Sequence, residues 1–440
     1  MNRIQAILLA GVVSVLAMPG AIAEQLYVGA AKRETTPKQE WLPLPATSRL
    51  QYAQLVGIID PIHVRVIAVG NGATPALIVT FETGTPPDPA VFLTGLAEHT
   101  GVPLDAIYYS ATHGHSSPTT NINPEVASSK LNHDFVYQQM LAAADAAIAS
   151  MQPATVGIGY AESYINTNRQ RFYALEDGTV QGAQGYNPTG PSDKTLSVLR
   201  FSDLRGQPIA FVVHYSVHNT VMYGNRYTEN GNGVSGDIGG RVSAHLENRF
   251  AGAVANWIIG TAGDQNPIIS NEYFTPNPDT GAQEIQLMGR AAVELLEFYG
   301  KIQFADTLTA LQRIDHESSD ARVRYATGDS TLPAYSDGAE DVLIQLRLLR
   351  IGDIALVGTS GELFNSIGVY MQDHSLLQHT LVSNKVLNAV EGPQPISSYQ
   401  ADDYALIHDG WHTNNRRYAI GTIDAGYTAL MNRLIESTDE

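Results

Sequence analysis

The chain has 440 residues, of which 44% are hydrophobic and 16% are charged, a composition typical of globular proteins and unlike that of disordered ones. Its formal net charge of −18 at pH 7 would repel phosphate backbones and anionic lipid head groups, which argues against nucleic-acid binding and electrostatic membrane docking. Because the chain has no cysteine, disulfides, thiolate nucleophiles and cysteine-ligated zinc are excluded. Any bound metal needs histidine, carboxylate, tyrosine or backbone oxygen ligands.

The first residues have the pattern of a secretory signal peptide. A short basic start at Asn2-Arg3 precedes an apolar run over residues 7–18, and small residues at Ala21 and Ala23 suit a signal peptidase. We therefore expect cleavage of residues 1–23 and an exported chain, periplasmic or secreted. A membrane anchor is the weaker alternative, because the run is shorter than the ~20 apolar residues of a spanning helix, and no later segment is long and apolar enough to be one.

Short β-type runs alternate with helical patterns, which predicts an α/β fold with a mixed β-sheet core and flanking helices, formed as one domain by residues 24–440. Runs rich in β-branched and aromatic residues predict buried strands at 77–81, 107–112, 209–213 and 257–260. Apolar periodicity predicts helices at 89–99, 135–149 and 284–299. A hairpin is predicted from 342–349 and 354–357, with its turn at Gly352-Asp353. Polar stretches rich in Gly, Pro and Asn predict surface loops at 176–194, 223–233 and 271–280.

Two histidines directly follow the predicted strand 107–112, in the sequence Ala-Thr-His-Gly-His-Ser-Ser-Pro. On an extended backbone His113 and His115 would point to the same side, and the ends of strands are where α/β proteins bind their ligands. Neutral imidazoles in such a place are good metal ligands or acid–base groups. A His-x-His pair is about as often two ordinary hydrogen-bonded histidines, so this pattern alone leaves both interpretations open.

Three further segments place polar groups after predicted strands. His218 lies in a polar segment beyond its strand, whereas His214, next to the apolar run, is better explained as a core histidine. Glu362 emerges from a glycine-flanked turn, where it could reach a metal or serve in the first turn of a helix. Asp264 could orient a histidine or a loop, or fix a tight turn. Neither a Gly-x-Ser-x-Gly elbow nor a His-Glu-x-x-His motif occurs, which excludes those hydrolase types.

Taken in order, these segments resemble the catalytic domain of the neutral/alkaline (non-lysosomal) ceramidase family. The ordered matches include the signature Ala-Thr-His-x-His-Ser-x-Pro and lie at residues 28–37, 60–65, 111–118, 193–201, 218–221, 235–237, 263–267 and 351–362. The resemblance implies a ceramidase-like catalytic fold. It also implies a hydrolase with one Zn²⁺ per chain, which cleaves an amide bond of ceramide (N-acylsphingosine) or another N-acyl compound by a metal-activated water.

The resemblance also implies a set of site residues. The metal ligands would be His113, His218, Glu362 and Tyr399, and the catalytic residues would be His115, Arg169 and Tyr404. His115 would bond the reacting group, and Arg169, in a segment that resembles the family's Asn-x-Asn-Arg, would steady the substrate or oxyanion. The tyrosine match is loose: Trp411, twelve residues after Tyr399, occupies a position where the family has an aromatic residue, which favours Tyr399 over Tyr404 as the ligand.

Departures from the family bear on the substrate. Asn266 stands where some members carry a serine in the Gly-Asp turn, so we expect catalysis through water rather than a seryl intermediate. Glu82 replaces a frequent Asp, and the chain is expected to lack the family's immunoglobulin-like C-terminal domain. Hydrolysis of a different amide or an ester stays open, as does an exported ligand-binding protein without turnover. A degenerate binding protein would have lost a ligand, which favours a hydrolase; the oligomeric state cannot be read from the sequence.

Overall fold

In a computed structural model, the described residues are 25–439, except 48–53, 73, 230, 270–271, 288, 321, 389–393, 412 and 414–416. The predicted signal peptide at residues 1–23 therefore lies outside the described residues, as do Asn271 at the start of one predicted loop and Met288 in one predicted helix. No helix among the described residues is long and apolar enough to cross a membrane.

The secondary structure is mixed. The strands in chain order are β1 (Tyr27–Glu34), β2 (Leu44–Pro45), β3 (Gln54–Ile58), β4 (His63–Gly70), β5 (Ala76–Phe81), β6 (Ile107–Ala111), β7 (Gln152–Glu162), β8 (Asn166–Ala174), β9 (Val180–Asn187), β10 (Thr195–Asp203), β11 (Pro208–Tyr215), β12 (Asn232–Val234), β13 (Val254–Ile259), β14 (Gln265–Pro267), β15 (Glu272–Pro276), β16 (Gln283–Leu287), β17 (Val323–Leu332), β18 (Val342–Ile351), β19 (Ile354–Gly358), β20 (Glu362–Leu363), β21 (His379–Ser383) and β22 (Tyr399–Gln400). The helices are α1 (Phe92–Thr100), α2 (Ala127–Ala149), α3 (Asp237–Arg249), α4 (Ala292–Gln312), α5 (Asn365–Asp373), α6 (Asp403–Ile407) and α7 (Ile423–Ser437).

An eight-stranded sheet in the order β13-β11-β10-β7-β1-β4-β5-β6 forms the centre of the fold. Its pairs are antiparallel except β11–β13 and β5–β6. The short β1–β7 pairing divides the sheet into two halves, β13-β11-β10-β7 and β1-β4-β5-β6, which pack against each other. One contact between the halves is the hydrogen bond from Asn256 Nδ2 of β13 to Thr80 Oγ1 of β5, at 3.2 Å. Helix α2 covers β1 and β4, while α3 and α4 cover β13, β7 and β10. The result is four layers, with a helical layer outside each half of the sheet.

Strand β11 shows why the buried strands are continuously apolar. Ala210 and Val212 lie in the core between the two halves of the sheet, whereas Phe211 and Val213 lie in the core beneath α3 and α4. Successive side chains of a strand point to opposite faces, so a strand covered on both faces needs apolar residues at every position. This burial confirms the strands predicted at 77–81, 107–112, 209–213 and 257–260, which are β5, β6, β11 and β13.

A second sheet, in the order β17-β18-β19-β21, packs against α5 and α7, and its strand β19 leads into the short strand β20. Its β18–β19 hairpin confirms the predicted one, and Gly352 at the turn has a φ of 62°, in the left-handed region that glycine adopts without strain. The predicted helices at 89–99 and 135–149 are confirmed as α1 and α2, although α2 begins earlier, at Ala127. The mixed α/β fold class is therefore confirmed.

The helix predicted at 284–299 is wrong in its first part. Residues Gln283–Leu287 form β16, which pairs with β15, and the helix begins only at Ala292 and continues to Gln312. The sequence Glu-Ile-Gln-Leu alternates polar and apolar residues with the period of a strand, and pairing with β15 decides the outcome. The loops predicted at 176–194 and 271–280 each contain a strand as well, β9 and β15, and β12 begins within the loop predicted at 223–233.

Candidate metal centre

The segment after β6 brings two histidines to the end of the large sheet. The backbone hydrogen bonds Thr112 N to Phe81 O and Gly114 N to Thr83 O prolong the β5–β6 pairing. His113 has a φ of 62°, so its backbone is left-handed and not extended as the sequence pattern suggested. The rings of His113 and His115 nevertheless lie with their centroids 4.7 Å apart. A left-handed non-glycine residue is uncommon, and surrounding structure must hold it in place.

Backbone carbonyls fix the tautomers of two histidines. Nδ1 of His113 donates to Gly84 O, and Nδ1 of His218 donates to Gln265 O at 3.1 Å. Since a carbonyl oxygen can only accept, each Nδ1 carries a hydrogen, and Nε2 is the ring atom left to offer a lone pair to a metal. Burial, with a further contribution from the Arg169 guanidinium, lowers the pKa of His218 to about 3, so this ring is neutral. Neutral imidazoles held through Nδ1 are the form in which histidine binds metals.

Glu362 reaches the same point from β20, a two-residue strand that follows β19 of the second sheet. Strand β20 pairs in parallel with β22, which places Glu362 opposite Tyr399. Oε2 of Glu362 lies 3.2 Å from His218 Nε2 and 3.4 Å from His113 Nε2. Burial would raise the pKa of Glu362, but the Lys385 ammonium and His113 outweigh it and hold the pKa well below its usual range. Glu362 lies in β20, ahead of α5, so the alternative role in the first turn of a helix does not apply.

This donor set fits a metal ion. Ligand atoms about 2.0–2.1 Å from a tetrahedrally coordinated ion lie about 3.3 Å from one another, which matches the 3.2 and 3.4 Å measured between Glu362 and the two histidines. Ligand atoms of His113, His115 and His218 also lie within 4.8 Å of one another. A carboxylate oxygen and the Nε2 atoms of two imidazoles at these distances are a donor set that a cation between them would satisfy. The cluster could therefore hold a metal ion.

Arg169, on β8, lies beside the ligand set in a fixed orientation. Its Nε and Nη2 donate to Gly263 O at 3.2 and 2.7 Å, and its Nη1 donates to Asn266 Oδ1 at 3.0 Å. Nη2 also lies 3.2 Å from His218 Nε2 and from Tyr399 OH. The guanidinium is buried, and donors already held in place need little rearrangement to bind a negative charge.

Aromatic rings surround this guanidinium. Its carbon lies 5.4 Å from the ring centroid of Tyr399 and 4.8 Å from that of Trp411, distances typical of cation–π contacts. The Tyr399 ring stacks on that of His218, 20° from parallel. Burial, and next the Glu362 carboxylate, raises the pKa of Tyr399, which keeps the phenol protonated in the metal-free protein. Tyr399 is therefore brought to the ligand set.

Tyr404 is not brought to the cluster. Its side chain is 60% exposed, and its ring stacks on His408 at 4.2 Å between centroids and contacts Phe172. Asp402 caps helix α6 by accepting from Ala405 N, and the helix directs Tyr404 outward in its first turn. This position gives no support to the catalytic role that the resemblance implied for Tyr404.

Two other candidates have structural partners. His214 Nε2 donates to Val382 O at 3.0 Å within the core, as expected for a core histidine. Asp264 accepts from Asn365 N at 2.8 Å and from Asn168 Nδ2 at 2.7 Å, so it orients the loops next to Arg169 rather than a histidine. Burial raises the pKa of Asp264 to about 7.

Sequence reasoning missed Lys385, whose Nζ lies 2.7 Å from Glu362 Oε1. The residue follows β21, and a strand end on the same side of the molecule is the one signal that could have found it. It also missed the contact of Asn266, whose Oδ1 accepts a hydrogen bond from Arg169 and holds that side chain in place.

Comparison with solved structures identifies the architecture. Neutral ceramidase from Pseudomonas aeruginosa matches with a TM-score of 0.70 and 16% identity over 94% of this chain and 75% of that chain. A ceramidase complexed with C2 matches with a TM-score of 0.68 and 15% identity over 93% and 74%. The fold is ceramidase-like. This confirms the fold implied by the resemblance, while no sequence model of a protein family and no curated protein matches the chain.

Proposed function

We propose that the protein is an exported zinc hydrolase that cleaves the amide bond of an N-acyl compound such as ceramide. The observation that carries the proposal is the approach of Glu362 Oε2 to His218 Nε2 and His113 Nε2, at 3.2 and 3.4 Å. The ceramidase-like fold supports it, because the two similar solved structures described above carry the name ceramidase.

Zinc suits the donor set. His113, His218 and Glu362 would hold the ion, with Tyr399 next to them, and imidazole and carboxylate are common zinc ligands in catalytic sites. When bound, zinc lowers the pKa of a coordinated water toward ~7 and polarises a carbonyl group. The chain has no cysteine to offer as a competing ligand.

His115 is suited to move a proton. Burial, together with the neighbouring His113 and His218, lowers the pKa of His115 well below its ordinary value in the metal-free protein, so its ring is neutral, and the role proposed for it rests on its position. Its Nε2 lies 3.4 Å from His113 Nε2, at the edge of the ligand set. In the proposed reaction His115 takes a proton from the attacking water and returns it to the leaving amine.

Arg169 is suited to stabilise the oxyanion that develops on the amide oxygen, and it lies next to Tyr399, the fourth ligand that the resemblance implies. Their polar atoms lie 3.2 Å apart, and both side chains are fixed by neighbouring groups before any substrate arrives. Asn266 accepts a hydrogen bond from Arg169 at the position where some family members carry a serine. This role for Asn266 supports attack by water rather than by a seryl nucleophile.

Metal analysis tests the proposal directly. We expect about one zinc per chain in the purified protein, as for a single catalytic site with three or four ligands. Ceramides of several acyl lengths, short N-acyl amides and esters, assayed in parallel, identify the substrate, and amides are expected to be cleaved. A chain without zinc whose activity survives chelators would contradict the metal mechanism. Binding of these compounds without turnover by the zinc-loaded protein would favour a ligand-binding protein.

The export part of the proposal has its own test. Expression with the native N-terminus in a Gram-negative host is expected to give a periplasmic or secreted protein that begins at Glu24. N-terminal sequencing of that fraction checks the cleavage site. A full-length protein retained in the cytoplasm would contradict export and leave the hydrolase proposal untouched.

A further inference from the structure

We infer that Lys385 is a positioning residue that presents Glu362 to the metal ion, an inference that rests on the proposed function. Lys385 Nζ lies 2.7 Å from Glu362 Oε1, while Oε2, the other oxygen of the same carboxylate, faces His113 and His218. One carboxylate oxygen is thus held by a cation, and the other is left for the ligand set.

Burial makes this contact unusual. Lys385 is 7% exposed, and a lysine is almost never buried unless its charge is paired. The pair therefore forms in a place where solvent screening is weak and where Glu362 is itself buried. In such surroundings the ammonium strongly restricts the rotation of the Glu362 carboxylate, which a water molecule at the same point would not do.

The backbone of Lys385 connects the two halves of the site. Its carbonyl accepts from Ala111 N, two residues before His113, and its amide donates to Gly361 O, directly before Glu362. Lys385 also has a φ of 56°, a left-handed conformation that non-glycine residues seldom adopt. The conformation is the second of this kind at the site, after that of His113, and surrounding structure must hold it in place.

When a ligand residue binds a metal through one atom, a group that bonds its other polar atom orients the residue and adjusts how strongly it binds the metal. For Glu362 this means that Lys385 favours binding through Oε2 alone. Lys385 also offsets part of the carboxylate charge, which leaves more positive charge on the ion and on any group bound to it. Its removal should therefore affect metal binding and the chemical step more than substrate binding.

The test compares Lys385→Met with Lys385→Arg, which keeps a cation and its donors, and with Lys32→Met. Lys32 forms the matched control, because its Nζ pairs with Glu247 Oε2 at 2.6 Å, with Glu247 on α3 and no contact to the ligand set. Zinc affinity is measured by competition with a chelator, next to kcat and KM. We expect Lys385→Met to weaken zinc binding about 10–100-fold and to lower kcat by a similar factor, with KM changed less than about twofold.

Lys385→Arg should recover most of the zinc affinity, and Lys32→Met should keep that of the wild type. Zinc affinity of folded Lys385→Met within twofold of wild type would overturn the inference and leave the proposed function standing. A wild-type protein that binds no zinc would overturn both. If Lys385→Met does not fold, Lys385→Gln, which also removes the charge, is judged by the same criterion for zinc affinity.

Discussion

The two sides of the candidate site are built differently. On the histidine side, His113 and His218 follow strands β6 and β11 of the large sheet, and each is oriented by a backbone carbonyl, that of Gly84 and that of Gln265. On the carboxylate side, Glu362 is oriented by a charged side chain and by a two-residue strand pair. Backbone contacts in a packed sheet persist whatever the charge of the site, whereas a buried ion pair depends on both partners. The histidine side therefore makes metal binding possible, and the carboxylate side adjusts its strength.

The largest effect should follow removal of a histidine ligand. His218→Ala deletes a donor whose ring is fixed and neutral before metal arrives, and we expect loss of stoichiometric zinc and a fall in kcat/KM of at least ~10³-fold. Zinc content after gel filtration and an activity assay measure it. The control is His408→Ala, an exposed histidine that contacts Tyr404 and not the ligand set. Stoichiometric zinc in His218→Ala would show that the histidine side does not bind it.

His115→Gln should have the next largest effect. The substitution removes a group proposed to move a proton and leaves His113 Nδ1 on its carbonyl, so kcat should fall about 10²–10⁴-fold while zinc stays bound. Stopped assays with the zinc-loaded variant, with zinc quantified in the same sample, separate the two effects. A loss of zinc equal to that in His218→Ala would instead make His115 a ligand, which the spacing of the three imidazoles also permits.

Arg169→Lys tests whether catalysis needs the planar shape of the guanidinium next to the metal ligands or only its positive charge. A lysine keeps the positive charge but cannot donate to Gly263 and Asn266 together, nor stack between two rings as the planar guanidinium does. We expect kcat to fall about 10²-fold, because a misplaced donor no longer meets the oxyanion, and zinc content to be retained. An activity within threefold of wild type would mean that charge alone accounts for the contribution of this residue.

The histidine side was easier to predict from sequence than the carboxylate side, for a physical reason. Buried strands covered on both faces give continuous apolar runs, so the strand before His113 and the strand before His218 were both visible. Strands β20 and β22 have two residues each, too short to produce a pattern, and the pairing that sets Tyr399 opposite Glu362 is a long-range contact. Glu362 was a candidate from its glycine-flanked turn, whereas only the resemblance to ceramidases indicated Tyr399.

For Lys385 and Tyr404, neither the sequence pattern nor the resemblance gave the position of the side chain relative to the ligand set. A single lysine in a polar segment carries no periodic signal, and its partner lies 23 positions earlier in the chain, across the end of the second sheet. Tyr404 is close to Tyr399 in sequence, but the start of α6 between them turns its side chain away. The first part of the helix predicted at 284–299 was misassigned because the pairing of β16 with β15 is also a tertiary contact. Four alternating residues fit a strand as well as a helix until a partner strand is known.

The smallest effect tests this assignment of the tyrosines. Tyr404→Ala removes an exposed ring that contacts Phe172 and His408, and surface substitutions of this kind change stability by about 0.5 kcal/mol or less. We expect zinc content and kcat on a short N-acyl amide within about twofold of wild type. Tyr399→Phe is the matched comparison, because it removes only the hydroxyl beside Arg169 and should lower kcat about tenfold or more by loss of the expected fourth ligand. A large loss of kcat in Tyr404→Ala, with Tyr399→Phe unaffected, would reverse the roles of the two tyrosines and would require α6 to move when substrate binds.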